Sequence, residues 1–263
     1  MKLITCMLSI LVASAAPTFA ATVLVGSSTG EIGTLDTNTG TVSNAYDAGP
    51  SWFDIAVDNS GDVFGTNGST LFSIDVQNSA AGVALGSHSF INALAFNNDD
   101  TLFGAGGGSL YTLDTTTGAS TLVGAVGSGF NSSGDIAYAG GNTLFGTSTG
   151  GCAGGGDCLF EIDTNTGMGS LIGNIGFSSV FGLSLVGGDL FGLTAANDLI
   201  SIDTLTGSGT FLTSYNVTGS TFGAAVPGSA AVVPLPAGIL LLLSGLGVLG
   251  IAGARGRSRA VPA

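Results

Sequence analysis

Residues 93–124 read ALAFNNDDTLFGAGGGSLYTLDTTTGASTLVG, and this stretch carries the pattern of the whole central chain. It holds four short β-type segments: Ala93–Phe96, Leu102–Gly104, Thr112–Asp114 and Ser120–Gly124. Turn-forming Asn, Asp and Gly clusters separate them, as hairpins require. The element ending in aspartate recurs as Thr34-Leu35-Asp36, Ser73-Ile74-Asp75, Thr112-Leu113-Asp114, Glu161-Ile162-Asp163 and Ser201-Ile202-Asp203. The steps are 75−36 = 39, 114−75 = 39, 163−114 = 49 and 203−163 = 40 residues. Four strands in about 40 residues is the period of a β-propeller blade.

The other elements keep the same register. A hydrophobic-aromatic-Gly element appears as Val63-Phe64-Gly65, Leu102-Phe103-Gly104, Leu144-Phe145-Gly146 and Leu190-Phe191-Gly192, with Leu24-Val25-Gly26 as a variant first copy. Its phenylalanines read as packing between sheets. Asp54–Val57, Ala93–Phe96, Asp135–Tyr138 and Gly182–Leu185 precede it. The first unit begins with its second strand at Thr22–Gly26, and the missing first strand reappears at Thr221–Val226. A ring closed by strands from both ends leaves no unpaired end edge, so the expectation is an all-β, five-bladed β-propeller-like domain over residues 21–227. An open β-solenoid is the alternative, and it leaves the matching end strand unexplained.

The chain ends read differently. Residues 1–20 have Lys2, an apolar run from Ile4 to Val12, and a small-residue cleavage site before Ala21, the plan of a secretory signal peptide. Residues 228–232 read as a linker. Residues 238–254 are uncharged and span roughly 25 Å as a helix, enough for one short transmembrane helix. Arg255, Arg257 and Arg259 follow directly and hold that end in the cytoplasm, with residues 260–263 as a tail. Val233-Pro234-Leu235-Pro236-Ala237, the Gly/Leu-rich helix and the arginine cluster together resemble the VPLPA variant of the PEP-CTERM sorting signals, over about residues 233–259. That resemblance implies a Gram-negative bacterium that makes exopolysaccharide, and an exosortase-type membrane protease that recognises the motif. It also implies export through the inner membrane, anchoring by the C-terminal helix, then cell-surface display or secretion.

The four basic residues are Lys2, Arg255, Arg257 and Arg259, whereas all seventeen acidic residues lie between Glu31 and Asp203. Such a domain repels phosphate backbones, so nucleic acid is not a partner. Calcium is the one cofactor that so many uncompensated carboxylates suggest, and most of them read as solvated. Cys152 and Cys158 bracket Ala-Gly-Gly-Gly-Asp inside the 49-residue step, and an exported location favours a disulfide there over reduced thiols.

Aligning the units puts Asp54, Ala93, Asp135, Gly182 and Gly223 at one level, facing the channel. Asp54 and Asp135 are the candidate calcium ligands, or with a third acid the candidates for glycoside chemistry. The other three positions are small and apolar, which argues against catalysis. The recurrent aspartates read as turn formers, although Asp36-Thr-Asn38-Thr-Gly40 and Asp163-Thr-Asn165-Thr-Gly167 resemble half a calcium loop. His88 reads as a surface residue. The function expected is therefore that of a non-enzymatic surface or matrix protein touching exopolysaccharide, envelope proteins or a neighbouring copy. The alternative is a secreted carbohydrate-active hydrolase that uses the channel carboxylates.

Overall fold

A computed structural model describes residues 22–226, and the segments read as signal peptide, VPLPA motif, apolar span and arginine cluster lie outside the described residues. β1 (Thr22–Ser27), β2 (Glu31–Asp36) and β3 (Val42–Asp47) begin the first blade. The second is β4 (Asp54–Val57), β5 (Val63–Thr66), β6 (Thr70–Ile74) and β7 (Val83–Ser87). The third is β8 (Ala93–Phe96), β9 (Leu102–Gly106), β10 (Ser109–Leu113) and β11 (Ser120–Ala125). The fourth is β12 (Ser132–Gly140), β13 (Thr143–Ser148), β14 (Cys158–Asp163) and β15 (Gly169–Asn174). The fifth is β16 (Val180–Val186), β17 (Asp189–Thr194), β18 (Asp198–Ile202) and β19 (Gly209–Ser214), and β20 (Thr221–Ala225) completes the first. Among the described residues there is no helix.

These strands form five four-stranded antiparallel sheets, the first ordered β20-β1-β2-β3. The innermost strands β4, β8, β12, β16 and β20 adjoin one another in that order, and β20 returns to β4. The fold is a five-bladed propeller. Its closure is the pairing of β20 with β1, in which Leu24 faces Ala225 and Val25 faces Ala224. Thr218 reinforces the seam by donating its amide and hydroxyl to the Glu31 carboxylate, at 3.1 and 2.8 Å.

Burial follows the radius. Inner strands such as β4 and β8 are almost wholly buried, whereas the outermost strands β7, β11, β15 and β19 hold only half-buried and exposed positions. Each blade interface holds its own apolar cluster. Trp52 fills the one between the first and second blades and donates its indole N–H to the Gly30 carbonyl at 3.1 Å. Phe103 and Phe191 are buried and Phe64 and Phe145 half-buried, each within one of these clusters, which places the aromatic-Gly element in the packing between blades.

The recurrent aspartates build the turns between third and fourth strands. Oδ1 of Asp36, Asp114, Asp163 and Asp203 accepts from the amides two and three residues ahead, at 2.8–3.0 Å. These turns also join the blades. Gly124 of β11 lies against the Thr166 carbonyl of the next blade's turn, and Gly173 of β15 meets the Thr206 carbonyl in the same way. A Cβ at either glycine would overlap a backbone oxygen that has no side-chain freedom to yield. Gly124→Ala and Gly173→Ala should therefore each destabilise the domain by about 2 kcal/mol, as overpacking does. Thermal denaturation tests this, and unchanged melting temperatures in both would remove that contact from its assigned role.

Candidate functional site

Every innermost strand pairs on one side only, so its other edge of backbone N–H and C=O groups faces the axis. Unpaired groups there, away from water, are unfavourable unless something bonds them. The Asp54 and Asp135 side chains meet this need, and both residues are completely buried. Asp54 Oδ1 accepts from the Ile55 amide at 2.7 Å, and Asp54 Oδ2 from the Leu94 amide of the next blade at 2.5 Å. Asp135 Oδ2 accepts from Leu183 at 2.5 Å and from Ala224 at 3.2 Å. Ile55, Leu94, Leu183 and Ala224 each follow directly on the level residue of their own blade. Two side chains thus gather the equivalent N–H group from four of the five blades. Gly223 has to lack a side chain here, because a Cβ would meet Asp54.

The two carboxyls are close enough for each to affect the ionisation of the other. Burial pushes the pKa of both well above the ordinary range, and the charge on Asp135 raises Asp54 further, against the lowering effect of the backbone amides. Asp135 Oδ1 is buried and has no N–H or hydroxyl donor, which leaves it free to bond a proton carried between the two acids.

This donor set does not fit calcium. Calcium takes six to eight oxygen ligands. Here two carboxyls are surrounded by N–H groups whose positive ends point at them, and among the described residues no group of three or more His, Cys, Asp or Glu side chains is placed to hold a metal. The half-loops at Asp36 and Asp163 likewise turn an oxygen onto their own amides.

Beside the aspartate level lies an aromatic cup on the axis. Phe53, Phe181 and Phe222 each precede the level residue of their strand, and Phe90 joins them from the loop before β8. The cup encloses about 200 Å³, with Asn92, Ser133 and Gly134 on its remaining wall. Phe53 packs edge-on against Phe90 and Phe222, with ring centres 6.2 and 6.1 Å apart, and Phe181 against Phe222 at 5.5 Å. Reading the phenylalanines only through the Phe-Gly element missed this ring. The available signal was a Phe directly before the level residue in three of five units.

Cys152 and Cys158 are joined as a disulfide with Cα atoms 5.9 Å apart. Their loop delivers Asp157, which sequence reasoning passed over. Its Oδ2 accepts from the Ser133 hydroxyl at 2.5 Å and from the Val180 amide at 2.7 Å, tying the fourth blade to the fifth, and burial raises its pKa. His88 is half-buried rather than a free surface residue, with Nε2 3.1 Å from Thr66 Oγ1 and Nδ1 2.6 Å from the Ser89 carbonyl.

No protein-family model matches the chain, and no curated protein matches it in sequence. Among solved structures, it is similar to one headed "The de novo evolutionary emergence of a symmetrical protein is shaped by folding constraints", with a TM-score of 0.51 and 12% identity over 79% of this chain and 98% of that one. That likeness is one of fold alone. The computationally designed Ika8 protein gives a TM-score of 0.35 and 18% identity, over 76% of this chain and 60% of its own.

The carboxylates predict a two-sided pH dependence. In the turns, Asn78 and Thr166 side chains lower Asp75 and Asp163, and the Thr117 and Thr206 amides lower Asp114 and Asp203. Their stabilisation is present above the ordinary aspartate pKa and is lost as pH falls through the lowered values. Asp54 and Asp135 are raised, so their contribution is full below the ordinary pKa and declines as pH rises toward the folded values. Stability should peak at about pH 4 to 5, close to the ordinary aspartate pKa. Asp54→Asn supplies a neutral group of the same shape, and should flatten the decline toward neutral pH while leaving the acid limb in place. Melting temperatures measured across pH for both proteins check this, and superimposable neutral limbs would contradict the buried-pair assignment.

Proposed function

We propose that this chain is an exported, non-enzymatic surface protein, sorted by an exosortase-type system and displayed as a β-propeller in contact with exopolysaccharide or envelope components. The observation that carries the non-enzymatic part is the state of the two channel carboxylates. A glycosidase needs one carboxyl to protonate a leaving group and another to attack the sugar or activate water, both within reach of substrate. Asp54 and Asp135 have no exposed surface and are occupied by the amides of the inner strands. The described domain also contains no lysine or arginine that could steady a developing negative charge.

Sorting rests on Val233–Ala237, the apolar stretch 238–254 and Arg255, Arg257 and Arg259, read as recognition motif, membrane helix and cytoplasmic stop. The disulfide between Cys152 and Cys158 agrees with an oxidising compartment outside the cytoplasm.

Mass spectrometry of the C-terminus, on protein from membrane and from released material, tests the sorting step. The expected result is released protein lacking everything after about Pro236, with an exosortase knock-out leaving chains that end at Ala263. Intact tails in released material would overturn it. For the catalytic alternative, glycan turnover that disappears in both Asp54→Asn and Asp135→Asn would establish a hydrolase instead.

A further inference from the structure

We infer that the aromatic cup at the channel axis is a binding site for an organic monocation of the quaternary-ammonium class, such as a choline group. This goes beyond surface display and does not depend on it. The first ground is the lining: four phenyl rings, Phe53, Phe181 and Phe222 at equivalent positions of three blades and Phe90 from a connecting loop, converge on one cavity of about 200 Å³. The room suits a trimethylammonium group with a short tail. A methylated ammonium presents a greasy surface and a diffuse positive charge, which phenyl faces attract electrostatically without hydrogen bonds.

Charge supplies the second ground. The described residues include seventeen carboxylic acids and no lysine or arginine, so the potential around the cup is that of a strongly acidic protein with no competing cation. Phosphate, sulfate and uronate groups are repelled by the same field. Neutral sugars fit poorly for a different reason. A pyranose would bring several hydroxyls among phenyl rings, and of the polar side chains in the wall, the Ser133 hydroxyl is already committed to Asp157.

Isothermal titration calorimetry of the full-length chain with choline chloride tests the inference. The comparison ligand is choline's neutral isostere, in which a tert-butyl group replaces trimethylammonium. Choline should bind about tenfold more tightly than the isostere, and added sodium chloride should weaken it. Phe53→Leu and Phe90→Leu should each weaken choline binding severalfold. Phe90 is 59% exposed, so its replacement leaves the fold intact even if that of Phe53 does not. Displacement of bound choline by phosphatidylcholine vesicles, but not by phosphatidylglycerol vesicles, would make a lipid headgroup the source. Choline binding that neither vesicle affects would make it a free molecule. Equal affinity for choline and its isostere, no binding of choline, or choline binding that Phe90→Leu leaves unchanged would each overturn the inference.

Discussion

Five inner strands, each paired on one side only, meet around a single axis, and the rest of the structure depends on how their free amides are bonded. An edge strand in the interior is a row of polar groups with no partner. Water in a wide channel would serve, but five blades leave a narrow one. The protein places two carboxylates there, and between them they take the equivalent N–H group from four of the five blades. Leu94, Leu183 and Ala224 each donate to a carboxyl from another blade, whereas Ile55 donates to Asp54 of its own. The bond set therefore links the ring across its centre, while the turn contacts at Gly124 and Gly173 link it at the rim.

The two kinds of aspartate show how one residue type is put to opposite uses. In the turns the carboxylate is solvent-exposed, charged and held low by local amides, and it organises a hairpin. On the axis the same group is stripped of water. Desolvation and the neighbouring acid outweigh the amides there, and the pair retains a proton. A reactive acid-base pair also has a raised pKa, so the shift alone does not separate catalysis from architecture. Access does, because these oxygens are sealed and already bonded.

What could be read from the residues was whatever repeats. The 39- and 40-residue steps, the strand displaced to the far end, and the common level of Asp54 and Asp135 all follow from period and alignment, and the folded ring has the same five units. Features that break the period were not legible. Asp157 sits in the insertion of the fourth unit, where no other blade offers a comparison. The amide ring is made of backbone, which leaves no mark in side-chain identity. His88 looked solitary because its partners are a threonine hydroxyl and a carbonyl, neither of which forms a motif with histidine.

The aromatic cup is the instructive intermediate case. Phe53, Phe181 and Phe222 occupy equivalent positions, yet Asn92 and Gly134 replace phenylalanine in the other two units. The departure matters as much as the repeat. Gly134 lets Phe181 pack directly against its backbone, where a Cβ would press on it, and Asn92 adds a polar group to a largely apolar wall. Phe90 then re-enters from a loop and closes the side that Asn92 opens. Symmetry builds the scaffold, and its local violation turns the end of a structural channel into an aromatic cavity.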